Sequence, residues 1–359
     1  MNNKITWLAV SAATLLGARP LEAAGQAAGA RTERIPQKML LEYHAGPLVL
    51  YGSGNLTSEA QGVIGGVQVR RLCDTRWFLL TEASLSRENR ASYNLHHWGS
   101  RLGAGWAFTD ATDLVAAYRF DRYSVSNVGG NSDSAFRTVA GNGATTAVEL
   151  ALEHDGTDDE FYPTRGSTMT LSGELALRGL GGDHDFGHLN SDWALYVSPL
   201  RGRLDGSWLE DVTFAEHLSV GWMAPLRRRD PVPFFERQFV GGDDTVRGHR
   251  DRWLTPRGAE GEFIGGEAMA VNNVEVRELL FASRLRRRLS VAEFVDFGTA
   301  ARRLSALGDV GWGVGAGLRY VFKLWQVEGV ARIDYGISLA HENEGDSPSY
   351  VHFTLGSPF

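Results

Sequence analysis

Chemistry-bearing side chains gather in one short stretch, Gly182-Asp183-His184-Asp185-Phe186-Gly187-His188. Its histidines and aspartates are the imidazole and carboxylate donors that a divalent cation takes. The ordinary alternative is a polar loop between two elements, and under it His184, Asp185 and His188 are only weak metal candidates. His96 and His97 are neighbours, so on a strand they point to opposite faces and cannot share an ion. Cys73 is the single cysteine of 359 residues, which excludes an internal disulfide or a cysteine-based zinc site and leaves a thiol in a turn. No Ser-His-Asp order, metal-protease helix, Gly-x-Ser-x-Gly elbow or phosphate loop stands in a supporting context, so neither enzyme activity nor a cofactor is assigned. A formal charge of -7 argues against nucleic acid as a partner. Arginines cluster at Arg227, Arg228 and Arg229 and again at Arg284, Arg286, Arg287 and Arg288, both at strand ends, as solvated loops or as contacts to anionic lipid head groups.

The elements that must carry these residues are strands with two unlike faces. From Val327 to Leu339 the odd positions Val327, Gly329, Ala331, Ile333, Tyr335, Ile337 and Leu339 alternate with Glu328, Arg332, Asp334 and Ser338. From Val310 to Phe322 the sides are Val310, Trp312, Val314, Ala316, Leu318, Tyr320 and Phe322 against Gly311, Gly313, Gly315, Gly317 and Arg319. Side chains of a strand alternate between its faces, so one face suits hydrocarbon and the other water. The row of glycines on the polar face leaves room for something else beside it. The pattern predicts fourteen strands, near 47–53, 62–71, 76–86, 93–109, 114–126, 145–156, 167–179, 189–202, 212–226, 265–279, 289–300, 310–322, 327–339 and 349–359, with a weaker candidate at Met39 to Tyr43. Glu216, among Phe214, Leu218, Val220 and Trp222, breaks the alternation and is expected at a strand end or bulge.

Only 43% of residues are hydrophobic, yet 43 glycines and 10 tryptophans are spread along the chain. A membrane barrel has this composition, because each strand shows half its residues to lipid and half to a polar lumen. A soluble sandwich is the rival, with its apolar faces hidden between two sheets. Lys4, the apolar run from Ile5 to Gly17 and the small-residue site around Ala23 predict a cleaved signal peptide over 1–23, a short linker over 24–38 and a barrel over 39–359. Phe359, with Leu355, Phe353 and Val351 at matching parity, resembles the terminal signal by which outer-membrane barrels are recognised for insertion.

Between the ninth and tenth of these strands runs Pro233-Phe234-Phe235-Glu236-Arg237-Gln238-Phe239-Val240-Gly241-Gly242-Asp243-Asp244-Thr245-Val246-Arg247-Gly248-His249. It resembles the sixth-loop signature of the BamA/TamA family, the bacterial surface antigen superfamily, with His249 where the family has Phe or Tyr. Three further stretches match in family order: Phe161-Tyr162-Pro163-Thr164-Arg165-Gly166-Ser167, Gly265-Gly266-Glu267-Ala268-Met269-Ala270-Val271 with Glu275, and Phe294-Val295-Asp296-Phe297-Gly298, an Phe-x-Asp-x-Gly strand. The resemblance implies an all-β transmembrane antiparallel barrel of fourteen to sixteen strands in the bacterial outer membrane, with the sixth loop folded into its lumen. It further implies that Arg247 and Gly248 latch to Asp296 and Glu275, with Phe294 and Gly298 on the same strand.

By the same resemblance the protein acts in outer-membrane protein assembly or protein translocation, with membrane lipid, client outer-membrane proteins or a separate periplasmic protein as partners. The periplasmic POTRA modules of better-known members have no room between Ala24 and Met39, so a POTRA-less barrel is expected. The alternative is a passive channel or surface adhesin on the same scaffold. A third reading, a surface-anchored enzyme, would require the loop at 181–188 to bind metal.

Overall fold

The alternating segments pair, each with its neighbour in the chain, into one antiparallel sheet. The computed structural model describes residues 40–356 apart from 46–47, 57–59, 130–132, 160, 203–210, 228–229, 283–287, 325–326 and 341–348. The expected signal peptide and linker, Phe359 and most of both arginine clusters therefore lie outside the described residues. Fifteen strands follow in order: β1 (Leu40–Ala45), β2 (Leu48–Leu56), β3 (Ala60–Val69), β4 (Trp77–Asn89), β5 (Asn94–Thr109), β6 (Thr112–Ser126), β7 (Gly141–Asp155), β8 (Gly166–Ala176), β9 (Phe186–Val197), β10 (Val212–Pro225), β11 (Ala268–Ala282), β12 (Arg288–Ala301), β13 (Gly311–Leu324), β14 (Val327–Ala340) and β15 (Ser349–Gly356). The short apolar run at Met39 to Tyr43 is thus a strand, β1, and raises the expected fourteen by one. Among the described residues no ladder joins β1 to β15, but β1 returns alongside β14, so the sheet curls round on itself.

Curling sorts the two faces. Leu85, Leu102, Leu150, Leu171, Ile333 and Leu339 stand exposed on the outside, while Arg319, Arg332 and Asp334 are buried within. This is the reverse of a soluble protein and matches a barrel whose solvent outside is hydrocarbon. Aromatic pairs mark both rims: Trp77 meets Trp106 edge-on at 5.1 Å near the start of β4 and the end of β5, and Phe297 meets Trp312 at 4.5 Å near the opposite end. Such girdles sit at the two membrane–water interfaces. One end, the loop end, carries the connections 127–140, 177–185, 226–267 and 302–310; the other, the turn end, includes the tight Asp110-Ala111 turn. The connections at 156–165 and 198–211 are longer than a simple alternation of short turns and long loops predicts.

Two local expectations are corrected. Glu216 is neither at a strand end nor at a bulge: the ladders of β10 with β9 and β11 run through it unbroken, and it faces outward. The strand predicted to start at Leu189 begins at Phe186, because the chain turns at Arg178–Leu180 and reaches extended backbone sooner. His188 is therefore a strand residue.

Candidate functional site

The connection 226–267 is the longest described one, and it runs back into the lumen. Its entry is fixed by aromatic packing: Phe234 lies 4.6 Å from both Tyr93 and Phe136, and Phe235 lies 4.4 Å from Tyr123. Next, Gln238 and Gly266 form an antiparallel bridge that closes the loop's neck. Beyond it, Val240, Val246, Trp253 and Leu254 pack with Val271 of β11 into a small apolar core inside the barrel. A long loop pays heavily in conformational entropy unless such contacts fix it.

The tip of the loop carries Arg247. Its Nε and Nη2 donate to the two oxygens of Asp296, each at 2.7 Å, and its backbone N–H donates to Asp296 Oδ2 at 2.9 Å. Nη1 donates to Glu275 Oε1 at 2.6 Å and more distantly to Asp334 Oδ2 at 3.4 Å. The guanidinium lies 3.6 Å above the centre of the Phe294 ring. A planar guanidinium that donates this many directed hydrogen bonds is a task for arginine, since the single nitrogen of a lysine cannot reproduce the two-armed fork. Burial works against the charge of Arg247, but Asp296 and Glu275 outweigh it and hold the guanidinium protonated well above its ordinary range.

Each wall position has a separate job. Phe294, Asp296 and Gly298 are successive inward residues of β12: a platform under the guanidinium, the acceptor of its fork, and clearance for the loop. A Cβ on Gly298 would meet Val246 at 2.5 Å, and one on Gly313 would stand 1.8 Å from the carbonyl oxygen of Arg247. Gly248 has φ +93°, and a Cβ there would lie 2.7 Å from the backbone of Ile337, so both conformation and space select glycine. His249 is fully buried at the position where a larger aromatic was expected, its Nε2 3.1 Å from the carbonyl oxygen of Trp312 and 3.2 Å from Ser338 Oγ. The inner glycines of β13 accommodate the loop and its acceptors: Gly311 faces Leu254, Gly313 faces Arg247 and Gly317 faces the Asp334 carboxylate.

The acids are shared. Glu275 also accepts from Arg277 Nε at 2.7 Å and Arg319 Nη2 at 2.9 Å, and Arg319 bonds Asp334 as well. Arg332 Nη2 donates to the carbonyl oxygen of Asp243 at 3.2 Å. Sequence reasoning named Arg247, Asp296 and Glu275 but not this outer ring, although the parity of β11, β13 and β14 already turned those arginines inward. A second clasp was missed altogether. Arg252, further along the loop, donates to both oxygens of Glu88 at 3.0 and 3.1 Å and to Tyr93 Oη at 2.8 Å, while Arg90 Nη2 reaches Asp251 at 2.9 Å. The loop is thus tied to two walls, β11–β14 on one side and β4–β5 on the other.

The remaining candidates do not join this site. His184 is buried with its ring against Tyr123, whose hydroxyl lies 2.7 Å from Nε2; Asp185 pairs with Arg227 at 2.7 Å; His188 faces Gln238 at 3.4 Å. Among the described residues no three His, Cys, Asp or Glu side chains converge as a metal site would need. Phe353 stands exposed on the outer face of β15. Cys73 lies exposed in the turn between β3 and β4. Beside the docked loop, a cavity of about 800 Å³ remains in the lumen, lined among others by Glu82, Arg101, Asp121, Asp192 and His217.

The family model described as the Omp85 superfamily domain matches residues 61–359. A curated relative, the outer membrane protein assembly factor BamA of Nitratidesulfovibrio vulgaris, is 24% identical over 291 residues, covering 77% of this chain and 34% of its own. The chain therefore spans about a third of that relative's length. Among solved structures, BamA from Haemophilus ducreyi lacking POTRA domains 1–3 superposes with a TM-score of 0.68 at 15% identity, over 89% of this chain and 69% of that one. CdiB from Escherichia coli superposes with a TM-score of 0.54 at 13% identity, over 86% and 56%. At such identities the two structures speak to the fold.

Proposed function

Because this chain belongs to the Omp85 superfamily, as an outer-membrane β-barrel of the BamA/TamA type, we propose that it acts in the assembly of other outer-membrane proteins or in protein translocation. The observation that carries this reading is the loop tip clasped inside the lumen by Arg247, Asp296 and Glu275. A merely structural loop would not require a fully buried, many-armed ion cluster, which stabilises little relative to an apolar core but specifies one arrangement.

The two ends of the sheet, which no ladder joins among the described residues, support it. As first and last of fifteen alternating strands, β1 and β15 run in the same direction. A guest strand entering between them would pair antiparallel with both, adding to an open edge as in β-augmentation. The latch reaches that edge: Gly248 N–H donates to Nε2 of His352 on β15 at 3.3 Å. In this reading the clients are nascent barrel strands, and a separate periplasmic protein delivers them.

A second reading, a passive channel, is favoured by the cavity of about 800 Å³ that the loop leaves open. Depletion separates the two. An assembly factor lowers the level of other folded barrels, read as heat-modifiable bands in outer-membrane fractions; a channel leaves them intact and alters the uptake of small solutes.

A further inference from the structure

Glu216 is not alone on the outside of the barrel. Glu278 of β11 shares a face with the exposed Val274 and Leu280, and Glu293 of β12 lies opposite in parity to the buried Phe294 and Asp296. Among the described strand residues, these three are the carboxylates that face outward, and they stand on three consecutive strands. Glu216 pairs across with Val274, Glu293 with Val276, and Glu278 with Val291. Glu278 and Glu293 are thus diagonal neighbours, about 7–8 Å apart, and Glu216 stands on the next strand, four residues along from Val212, the residue of β10 that faces Glu278.

Glu216 is the fifth residue of β10 and Glu293 the sixth of β12, and Glu278 stands four residues before the end of β11, so all three lie in the turn-end half of their strands, within the band that runs from Val274 to Glu278 along β11. Around them the outer face is apolar, with Phe214, Leu218, Val220, Leu280 and Leu318 exposed. Asn272 Nδ2 donates to Glu216 at 3.0 Å. Among the described residues no cation reaches any of the three, and no side chain donates to Glu278 or Glu293.

Carboxylates facing a bilayer are expensive and mark function by default, with a cation as the natural partner. The described strand residues of a second copy do not supply it. Among them the outward-facing cations are Arg87 and Arg122, the eleventh residues of β4 and β6, at the loop end, and two copies inserted in the same sense cannot bring that level against the turn-end half. We propose that the outer face of β10–β12 is an in-membrane docking surface for a different, membrane-embedded polypeptide that presents lysine or arginine side chains at the level of Glu216, Glu278 and Glu293.

The full chain, labelled with a donor fluorophore on Cys73, is folded into phosphatidylcholine vesicles and titrated with acceptor-labelled membrane-spanning Leu/Ala helices of about 21 residues. One helix carries two lysines four residues apart in one outer third, and its twin carries leucines there. The lysine helix should associate at least about tenfold more tightly, the scale on which one charge pair moves association in a low-dielectric medium. That advantage should vanish in the variant Glu216→Gln/Glu278→Gln/Glu293→Gln, which keeps side-chain shape and whose folding is checked by heat-modifiable mobility. Equal binding of the two helices, or an advantage that survives in the triple variant, overturns the proposal. So does loss of the advantage when phosphatidylethanolamine is added, since a lipid amine would then occupy the site, and so does glutamate-dependent energy transfer between two copies of the chain.

Discussion

Replacing Arg247 by alanine should release the loop tip, and the structure says where the cost falls. Glu275 keeps two other arginines, Arg277 at 2.7 Å and Arg319 at 2.9 Å, so its charge stays compensated. Asp296, fully buried, loses both arms of the fork and retains only the backbone N–H of residue 247 at 2.9 Å. Breaking one side of a buried pair costs about 3–5 kcal/mol, nearly all of it here the stranded charge of Asp296. At about 1.4 kcal/mol per decade, loop opening should become more frequent by about two to three and a half orders of magnitude. The assay is tryptic cleavage at Arg250 and Arg257 in the folded barrel in lipid, under conditions where opening is rapid and cleavage tracks the open population. The same substitution in an Asp296→Asn background should cost much less, because no charge is left unpaired, while Arg247→Lys should fall between wild type and alanine. Additivity of Arg247→Ala and Asp296→Asn to within about 0.5 kcal/mol would refute the argument, since contacting residues must couple.

Gly313→Ala should eject the loop tip nearly as well as Arg247→Ala, because its Cβ meets backbone at 1.8 Å, whereas Gly311→Ala meets only the flexible end of Leu254 and should be milder; cleavage rates rank the two. Arg252→Ala removes the second clasp, whose partners are partly exposed, so cleavage should rise by about tenfold or less, as for a bond worth about 1–1.5 kcal/mol. His184 gives a pH dependence. Burial lowers its pKa from the ordinary 6.5, although Asp230 and Asp183 oppose this, so the packed 177–185 connection binds fewer protons than an opened one. The stability it contributes is complete above about pH 6.5 and is lost as pH falls through the depressed value. Hydrogen exchange of residues 177–185, corrected for intrinsic rate, should therefore accelerate at pH 5.5 relative to 7.5, and His184→Gln should flatten the difference.

What the sequence made legible is what parity controls. Alternation needs no knowledge of neighbours, so the faces of β13 and β14 could be read outright, and the glycine row of β13 correctly announced something lying against it. Register is different. Which inward residue meets which depends on ladders built from every preceding strand, and the Arg252–Glu88 contact spans 164 residues with no motif to flag it. The clasp at Arg247 was reached only because a resemblance supplied the pairing that alternation cannot. Glu216 shows the same limit from the other side. A single carboxylate in an apolar register looked like a local irregularity, and nothing along β10 says otherwise. Its meaning appears when β10, β11 and β12 are laid side by side and Glu278 and Glu293 arrive on the same face within four residues of it along the ladder. Period-two reading assigns a face to each residue but no height, so chemistry that is built across strands remains invisible until the strands are aligned.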